Sequence, residues 1–460
     1  MTHPVATRNN IAVIDVGKTN AKLALVDGLS MTEIAVVTRP NDVRSTPPYP
    51  HFDLQGHWAF FLRNLKVFHA EYGVDAISVT THGASIVLLQ EDGSLATAML
   101  DYEHDGPDSL VAEYDRLRPD FAETGSPRLA GGLNVGAQLH WLFENDPTLM
   151  ARTKHIITYP QYWGYQLTGK LACDVTSLGC HTDLWNPWEG RPSSLVSRLG
   201  ISEKLAPAQS ASDVLGWLKP DICEVTGMQP GTPVACGIHD SNASLVPHLN
   251  QNVGAFSVVS TGTWVVCMAV GGTSRQLDSD RDTLVNVNAY GTPVPSARFM
   301  GGREYEVMRA GAEVTPTSGD RATVLANEIM LLPSVVTSSG PFSGRDMRWN
   351  GPPASDGQRI YALSLYLAMM TDVCLRLAGG KGKTIIEGPF AQNADYLDML
   401  AEIRPDGIAI ASSRTGTSVG AAMLLTEAKA PDVAGARVHS PRGELASYAR
   451  RWRNLVDTTT

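Results

Sequence analysis

The segment Ile11-Ala12-Val13-Ile14-Asp15-Val16-Gly17-Lys18-Thr19-Asn20-Ala21-Lys22-Leu23-Ala24-Leu25-Val26-Asp27 constrains this chain more than any other. Two apolar runs hinged on an acid, a glycine and a cluster of small donors predict two strands joined by a tight turn. The turn offers the backbone N–H groups of Gly17, Lys18, Thr19 and Asn20, together with hydroxyl, amide and ammonium side chains, which suits phosphate oxygens. Asp15 closes the first strand and faces the same place. A carboxylate set against an anion makes physical sense only with a cation between them, so the pattern points to a metal–nucleotide site, with Mg–ATP as the candidate.

An Asp-x-Gly turn between strands is also an ordinary hairpin. A second copy shifts the balance: Phe256-Ser257-Val258-Val259-Ser260-Thr261-Gly262-Thr263-Trp264-Val265-Val266-Cys267-Met268 repeats strand, small-residue turn and strand, with Gly262 in the place of Gly17 and Ser260 in that of Asp15. Two related halves, each with a phosphate-type hairpin, suggest one nucleotide clamped between two domains.

At 460 residues the chain is too long for one ordinary core. Hydrophobic residues at 43% and charged residues at 18% describe a globular protein. The net charge of −10 argues against nucleic acid or an anionic membrane as partner, since both need a basic face. No apolar run reads as long enough to span a bilayer, and Met1-Thr2-His3-Pro4 lacks the layout of a leader, so cytoplasm is the expected compartment. The six cysteines form no C-x-x-C pair and read as reduced, mostly buried small hydrophobes; the twelve histidines show no zinc-ligand spacing.

Periodicity predicts strands at 10–16, 22–26 and 34–38 as an antiparallel meander, a helix over 53–71, a strand at 76–80 and a helix over 134–145. Stretches 186–194 and 207–212 read as loops. Farther on, helices are expected at 361–377, 393–403 and 417–427, a strand at 383–387, and a basic amphipathic helix at 442–456 folding back on the body through Trp452.

Four segments together resemble the FGGY carbohydrate kinase branch of the actin, hexokinase and sugar-kinase superfamily. Asp15-Val16-Gly17-Lys18-Thr19-Asn20-Ala21-Lys22 looks like the first phosphate motif and Ser260-Thr261-Gly262-Thr263-Trp264 like the second. Glu387-Gly388-Pro389-Phe390-Ala391-Gln392-Asn393 resembles the adenosine motif, and Gly237-Ile238-His239-Asp240-Ser241-Asn242-Ala243 the segment with the catalytic aspartate. The resemblance implies an α/β fold of two actin-like, ribonuclease H-like domains, over 1–245 and 246–460, with a central cleft for nucleotide and sugar.

It also implies site residues. ATP and Mg²⁺ are expected against Asp15, Gly17, Lys18, Thr19, Asn20, Lys22, Thr261, Gly262, Thr263, Gly388 and Asn393, with Asp15 and Asp240 as the carboxylates for the metal. Lys18 stands where relatives often have threonine, Lys22 where they have arginine, and Pro389 and Phe390 depart from the usual second glycine and its neighbour. The sugar is expected against Thr81, His82, Gly83, Ala84, Glu103, Asp105, Gln161, Tyr162 and Asp240, with glutamine at 161 where an acid is common. Ala84, Tyr162 or Trp163 would supply an apolar patch.

Phosphoryl transfer needs alignment, charge neutralisation and a base for the acceptor hydroxyl. Asp240 is the expected base; capping the helix that follows is the alternative role for an Asp there. Asp240 follows the apolar run 233–238 and is expected at a strand end, where neighbouring side chains point to opposite faces, so only one of His239 and Asp240 should face the sugar. The reading is an ATP-dependent kinase of a ketose, with segments most like the rhamnulokinase and fuculokinase side, hence a 6-deoxy-ketohexose, and with pentulose as the alternative. No nucleic acid or membrane partner is expected, and a homodimer is the one assembly considered. A non-catalytic nucleotide-binding protein of the same fold would not need Asp240, and an acyl-phosphate kinase would need basic residues in place of the neutral and acidic pocket segments.

Overall fold

The computed structural model describes residues 10–273, 277–411, 416–426 and 443–457. Met1 to Pro4, Glu427 and Arg442, which figure in the readings above, lie outside the described residues. The chain divides into two compact units. Among described residues the first takes 10–251, 285–293 and 416–426, and the second takes 252–273, 277–284, 294–411 and 443–457.

In the first unit Asn10–Val16, Asn20–Asp27 and Thr32–Pro40 form the antiparallel meander the alternation predicts. Ala76–Thr81 then lies parallel to Asn10–Val16 on its other side, and Pro233–Ala235 and Ile238–His239 lie parallel to Ala76–Thr81. Asp53 starts the helix Leu54–Tyr72 by accepting from the Gly56 N–H at 2.9 Å. The buried Phe60, Phe61, Leu65 and Phe68 give that helix its core face.

The second unit repeats the order. Phe256–Thr261 pairs antiparallel with Val265–Val270, which pairs antiparallel with Pro293–Phe299; Thr384–Glu387 and Ile408–Ile410 follow on the other side as parallel strands. Its core is the helix Asp356–Leu377, buried along most of its length. This helix corrects one expectation, because by length and apolar composition it does reach what a membrane crossing needs. It spends that apolar surface on the unit's own core.

The helix Glu444–Asp457 folds back as expected, with Trp452 buried and its Nε1–H donating to the Leu331 carbonyl at 2.8 Å. The helix expected over 417–427 is shorter, Thr417–Ala422, and runs into a 3-10 turn at Met423–Leu425. Its small residues allow close packing: a Cβ on Gly420 would stand 1.8 Å from the Ala243 carbonyl oxygen. The stretches read as loops hold short strands, Trp185–Asn186 pairing with Arg191–Pro192 and Ala208–Gln209 with Cys173–Asp174.

Candidate active site

Strand register gathers the chemistry of the first unit. Thr80 pairs with both Asp15 and Ile238, and Thr81 with Val16 and His239, so Asp15, His82 and Asp240 come to the same carboxyl end of adjacent parallel strands. In open α/β sheets that end is where ligands bind.

At the first hairpin, Asp15 Oδ2 meets Lys22 Nζ at 3.1 Å and accepts from Thr417 Oγ1 at 2.8 Å and Ser418 Oγ at 3.1 Å. Lys22 also reaches Glu33 at 3.3 Å; burial works against its charge, but the two carboxylates prevail and raise its pKa. Asp15, Gly17, Thr19, Asn20 and Lys22 line one depression of about 360 Å³. One expected donor is missing from it, because the Gly17 N–H closes the turn onto the Asn20 carbonyl at 2.9 Å. The Gly262 N–H is used likewise, on the Trp264 carbonyl at 2.8 Å.

Lys18 departs from the phosphate reading. Its ammonium pairs with Asp101 and, at 3.0 Å, with Glu103, and sits 4.6 Å from the Tyr102 ring centroid and 5.2 Å from that of Phe52. His82 packs between Phe52, Tyr102 and Tyr159, with centroids 5.1, 5.2 and 5.1 Å away. Its Nδ1 lies 2.9 Å from the Gly83 carbonyl, and its buried Nε2 has no hydrogen-bond partner among the described residues. Burial lowers the His82 pKa and so favours the neutral ring. Ala84, next in the chain, has a positive φ of 53°.

Asp240 opens the helix Asp240–Gln251 instead of ending a strand, which corrects the expectation that residues 239 and 240 face opposite ways. His239 Nε2 lies 3.1 Å from Asp240 Oδ1, which also accepts from the Ser241 N–H at 2.6 Å. Cys180 Sγ is 3.7 Å from the same His239 nitrogen. Burial opposes charge on both, yet each stabilises the other's ion: His181 and His239 draw the Cys180 thiol down to about 5, and Cys180 and Asp240 lift His239 to about 9. Cys180 is buried and free, as expected of the cysteines, and its thiol faces a ring nitrogen.

Other sugar-side expectations are relocated by packing. Gln161 is fully buried; its Oε1 accepts from Thr158 and its Nε2 donates to the Cys236 carbonyl at 2.8 Å, so both ends of the amide are spent. Tyr162 and Trp163 belong to the hydrophobic core, and the apolar wall beside His82 comes from Phe52 and Tyr102. Thr81 is buried with its hydroxyl on the His82 carbonyl at 3.0 Å, and the Asp105 side chain is exposed to solvent.

The second unit holds a cavity of about 820 Å³ whose lining includes Gly262, Thr263, Tyr305, Phe390 and Asn393. Phe390 and Tyr305 meet edge to face with centroids 6.0 Å apart, so Phe390, one of the two residues that depart from the adenosine motif, supplies an aromatic wall together with Tyr305. Thr261 is structural: its Oγ1 donates to the Glu387 carbonyl at 2.6 Å and accepts from the Phe390 N–H at 3.1 Å. Gly388 serves the same junction, with φ of 84° and space for a Cβ only 1.9 Å from the Thr261 carbonyl oxygen. The Asn393 side chain caps the helix Ala394–Ile403 and donates to Ser364 at 3.0 Å.

The pattern described as the FGGY family of carbohydrate kinases, N-terminal domain, matches residues 10–247, and that described as carbohydrate kinase FGGY, C-terminal domain, matches 253–433. The chain belongs to the FGGY family of carbohydrate kinases. A crystal structure of a carbohydrate kinase from Novosphingobium aromaticivorans is 34% identical, with a TM-score of 0.89 over 99% of this chain and 100% of that one. A xylulose kinase from Lactobacillus acidophilus, 16% identical with a TM-score of 0.77 over 98% of each chain, shares the actin-like fold. A probable L-xylulose kinase of Pasteurella multocida is 26% identical over 304 residues, 62% of this chain, and an L-fuculokinase of Salmonella typhi 24% identical over 269 residues, 57% of this chain. Those matches span 60% and 57% of the two relatives' lengths.

Several residues of this FGGY protein's site escaped the sequence reading. Thr417 and Ser418 carry no local signal, since they meet Asp15 across about 400 residues of chain. Phe52 ends a two-residue strand, and Cys180 looks like any buried cysteine until His239 is placed beside it.

Proposed function

We propose that this FGGY protein is an ATP-dependent kinase of a ketose, with L-rhamnulose or L-fuculose as the preferred acceptor class. The observation that carries the reading is Asp240: His239 and the Ser241 N–H hold its Oδ1, while among the described residues no hydrogen bond engages its Oδ2. That free oxygen is the base that takes the proton of the acceptor hydroxyl as the hydroxyl oxygen attacks the γ-phosphorus and ADP leaves. The neutral His82 and the Lys18–Asp101–Glu103 cluster meet the sugar's hydroxyls, and the Phe52 and Tyr102 rings meet its methyl group.

Nucleoside is assigned to the aromatic-walled cavity of the second unit, and phosphate oxygens to the hydroxyl- and amide-lined depression by Asp15. Asp15 fits a divalent ion: its Oδ2 is held by Lys22 and two hydroxyls, and among the described residues its Oδ1 is left to hold the ion, which it would do through water. Mg²⁺ there would neutralise phosphate charge.

Pentulose is the second reading, supported by the xylulose kinases among the relatives. The test is coupled ADP release with L-rhamnulose, L-fuculose, D-ribulose and both xyluloses. A buried methyl contact is worth roughly 1–3 kcal/mol, so a 6-deoxy-ketohexose should lead in kcat/KM by about 10- to 200-fold. Equal or better efficiency on a pentulose overturns the acceptor class, and no ADP from any ketose overturns the kinase.

A further inference from the structure

The side chains behind Asp240 are themselves arranged. We propose that His239 is a positioning residue that pins Asp240 Oδ1 and so aims Oδ2 at the acceptor hydroxyl, and that Asn242 keeps the ring in the form that can do this. The inference rests on the reading of Asp240 as base.

An ionised carboxylate only accepts hydrogen bonds, so the contact of 3.1 Å between His239 Nε2 and Asp240 Oδ1 requires the proton on Nε2. The other ring nitrogen decides whether it stays there. Asn242, buried, places Nδ2 3.2 Å from His239 Nδ1, and a donor on Nδ1 forces the neutral ring into its Nε2–H tautomer. The Asn242 Oδ1 has no partner among the described residues, so when the ring carries both protons, as its raised pKa favours near neutral pH, the amide turns and accepts from Nδ1–H. In both states Nε2 remains a donor toward Asp240.

The backbone that carries the ring is held. The His239 backbone N–H donates to Thr176 Oγ1 at 2.9 Å, and Thr176 donates to the buried Asp174. The absence of a side chain at 83 matters too: a Cβ there would come within 2.8 Å of His239 Nε2 and 3.2 Å of Cys180 Sγ. Gly83 thus leaves the imidazole room to meet Asp240. With Oδ1 fixed by His239 and Ser241, the carboxylate plane is set, and among the described residues Oδ2 is its uncommitted oxygen.

The test compares His239→Leu, His239→Gln and Asn242→Leu with Asp240→Asn, following kcat and both KM values, with circular dichroism and ATP calorimetry as the folding control. Misplacing a reacting group by about 1 Å costs on the order of 10²-fold, so His239→Leu should lower kcat by about 10- to 100-fold with both KM values within about threefold. Gln restores an N–H near the Nε2 position and should recover most of that loss; Asn242→Leu should fall between. If Asp240→Asn is inactive while His239→Leu keeps wild-type kcat, or if Gln is as impaired as Leu, His239 does not position the base. If Asp240→Asn is itself active, the base assignment fails and this inference with it.

Discussion

Replacing Asp240 by Asn separates a base from a helix cap by magnitude. The Asn carbonyl can take the place of Oδ1 and go on accepting from the Ser241 N–H at 2.6 Å and from His239 at 3.1 Å, while its amide nitrogen takes the place of the uncommitted Oδ2. Removing a negative charge from the first turn of Asp240–Gln251 costs about 0.3–1 kcal/mol, a shift of a few degrees or less in Tm. Losing a general base costs about 10²–10⁴ in rate, equivalent to roughly 3–5 kcal/mol on the barrier. A cap alone would therefore leave kcat nearly intact and a base would not. The assay is coupled ADP release at saturating ATP and ketose, with sugar Kd from calorimetry and Tm from differential scanning fluorimetry. The expected result is kcat down at least about 100-fold with sugar Kd within about threefold. More than half of wild-type activity would assign Asp240 to capping.

Three further outcomes follow from local geometry. A Cβ on Gly262 would find its nearest neighbour 3.8 Å away, so Gly262→Val should fold normally and raise the KM for ATP by about 10-fold or more while sugar affinity is unchanged; weakened sugar binding with intact ATP binding would exchange the two assignments. Burial lifts the Glu304 carboxyl from 4.5 to about 7 against the opposing bonds from the Val336 N–H and the Tyr366 hydroxyl. Between those values the unfolded chain has released a proton that the folded chain retains, so stability falls as pH rises from 4.5 to 7, by up to about 3 kcal/mol. Glu304→Gln should flatten that decline in urea midpoints, and parallel curves for the two proteins would refute it. Gly420→Ala places a Cβ 1.8 Å from the Ala243 carbonyl oxygen and should destabilise the protein by about 1–3 kcal/mol, read as a lowered urea midpoint; an unchanged midpoint would mean that these helices separate freely.

The sequence by itself determined the elements whose signals are local. Apolar runs predict the strand at 10–16 and the one before the second turn, apolar residues at helical spacing predict a helix over 53–71 where Leu54–Tyr72 forms, and the glycines at 17 and 262 mark the two turns, because backbone hydrogen bonding and period are properties of a few consecutive residues. The tertiary structure alone decided which side chains meet. It spent the Gln161 amide and the Thr261 hydroxyl on internal bonds, drew Lys18 to Asp101 and Glu103, and brought Thr417 and Ser418 to Asp15 from the far end of the chain. It also started a helix at Asp240, so that strand alternation no longer applies and the neighbouring His239 and Asp240 side chains touch instead of diverging. These pairings depend on register and packing between segments remote in sequence, where every polar group must find a partner once water is excluded, and a motif read in one dimension carries no record of that competition.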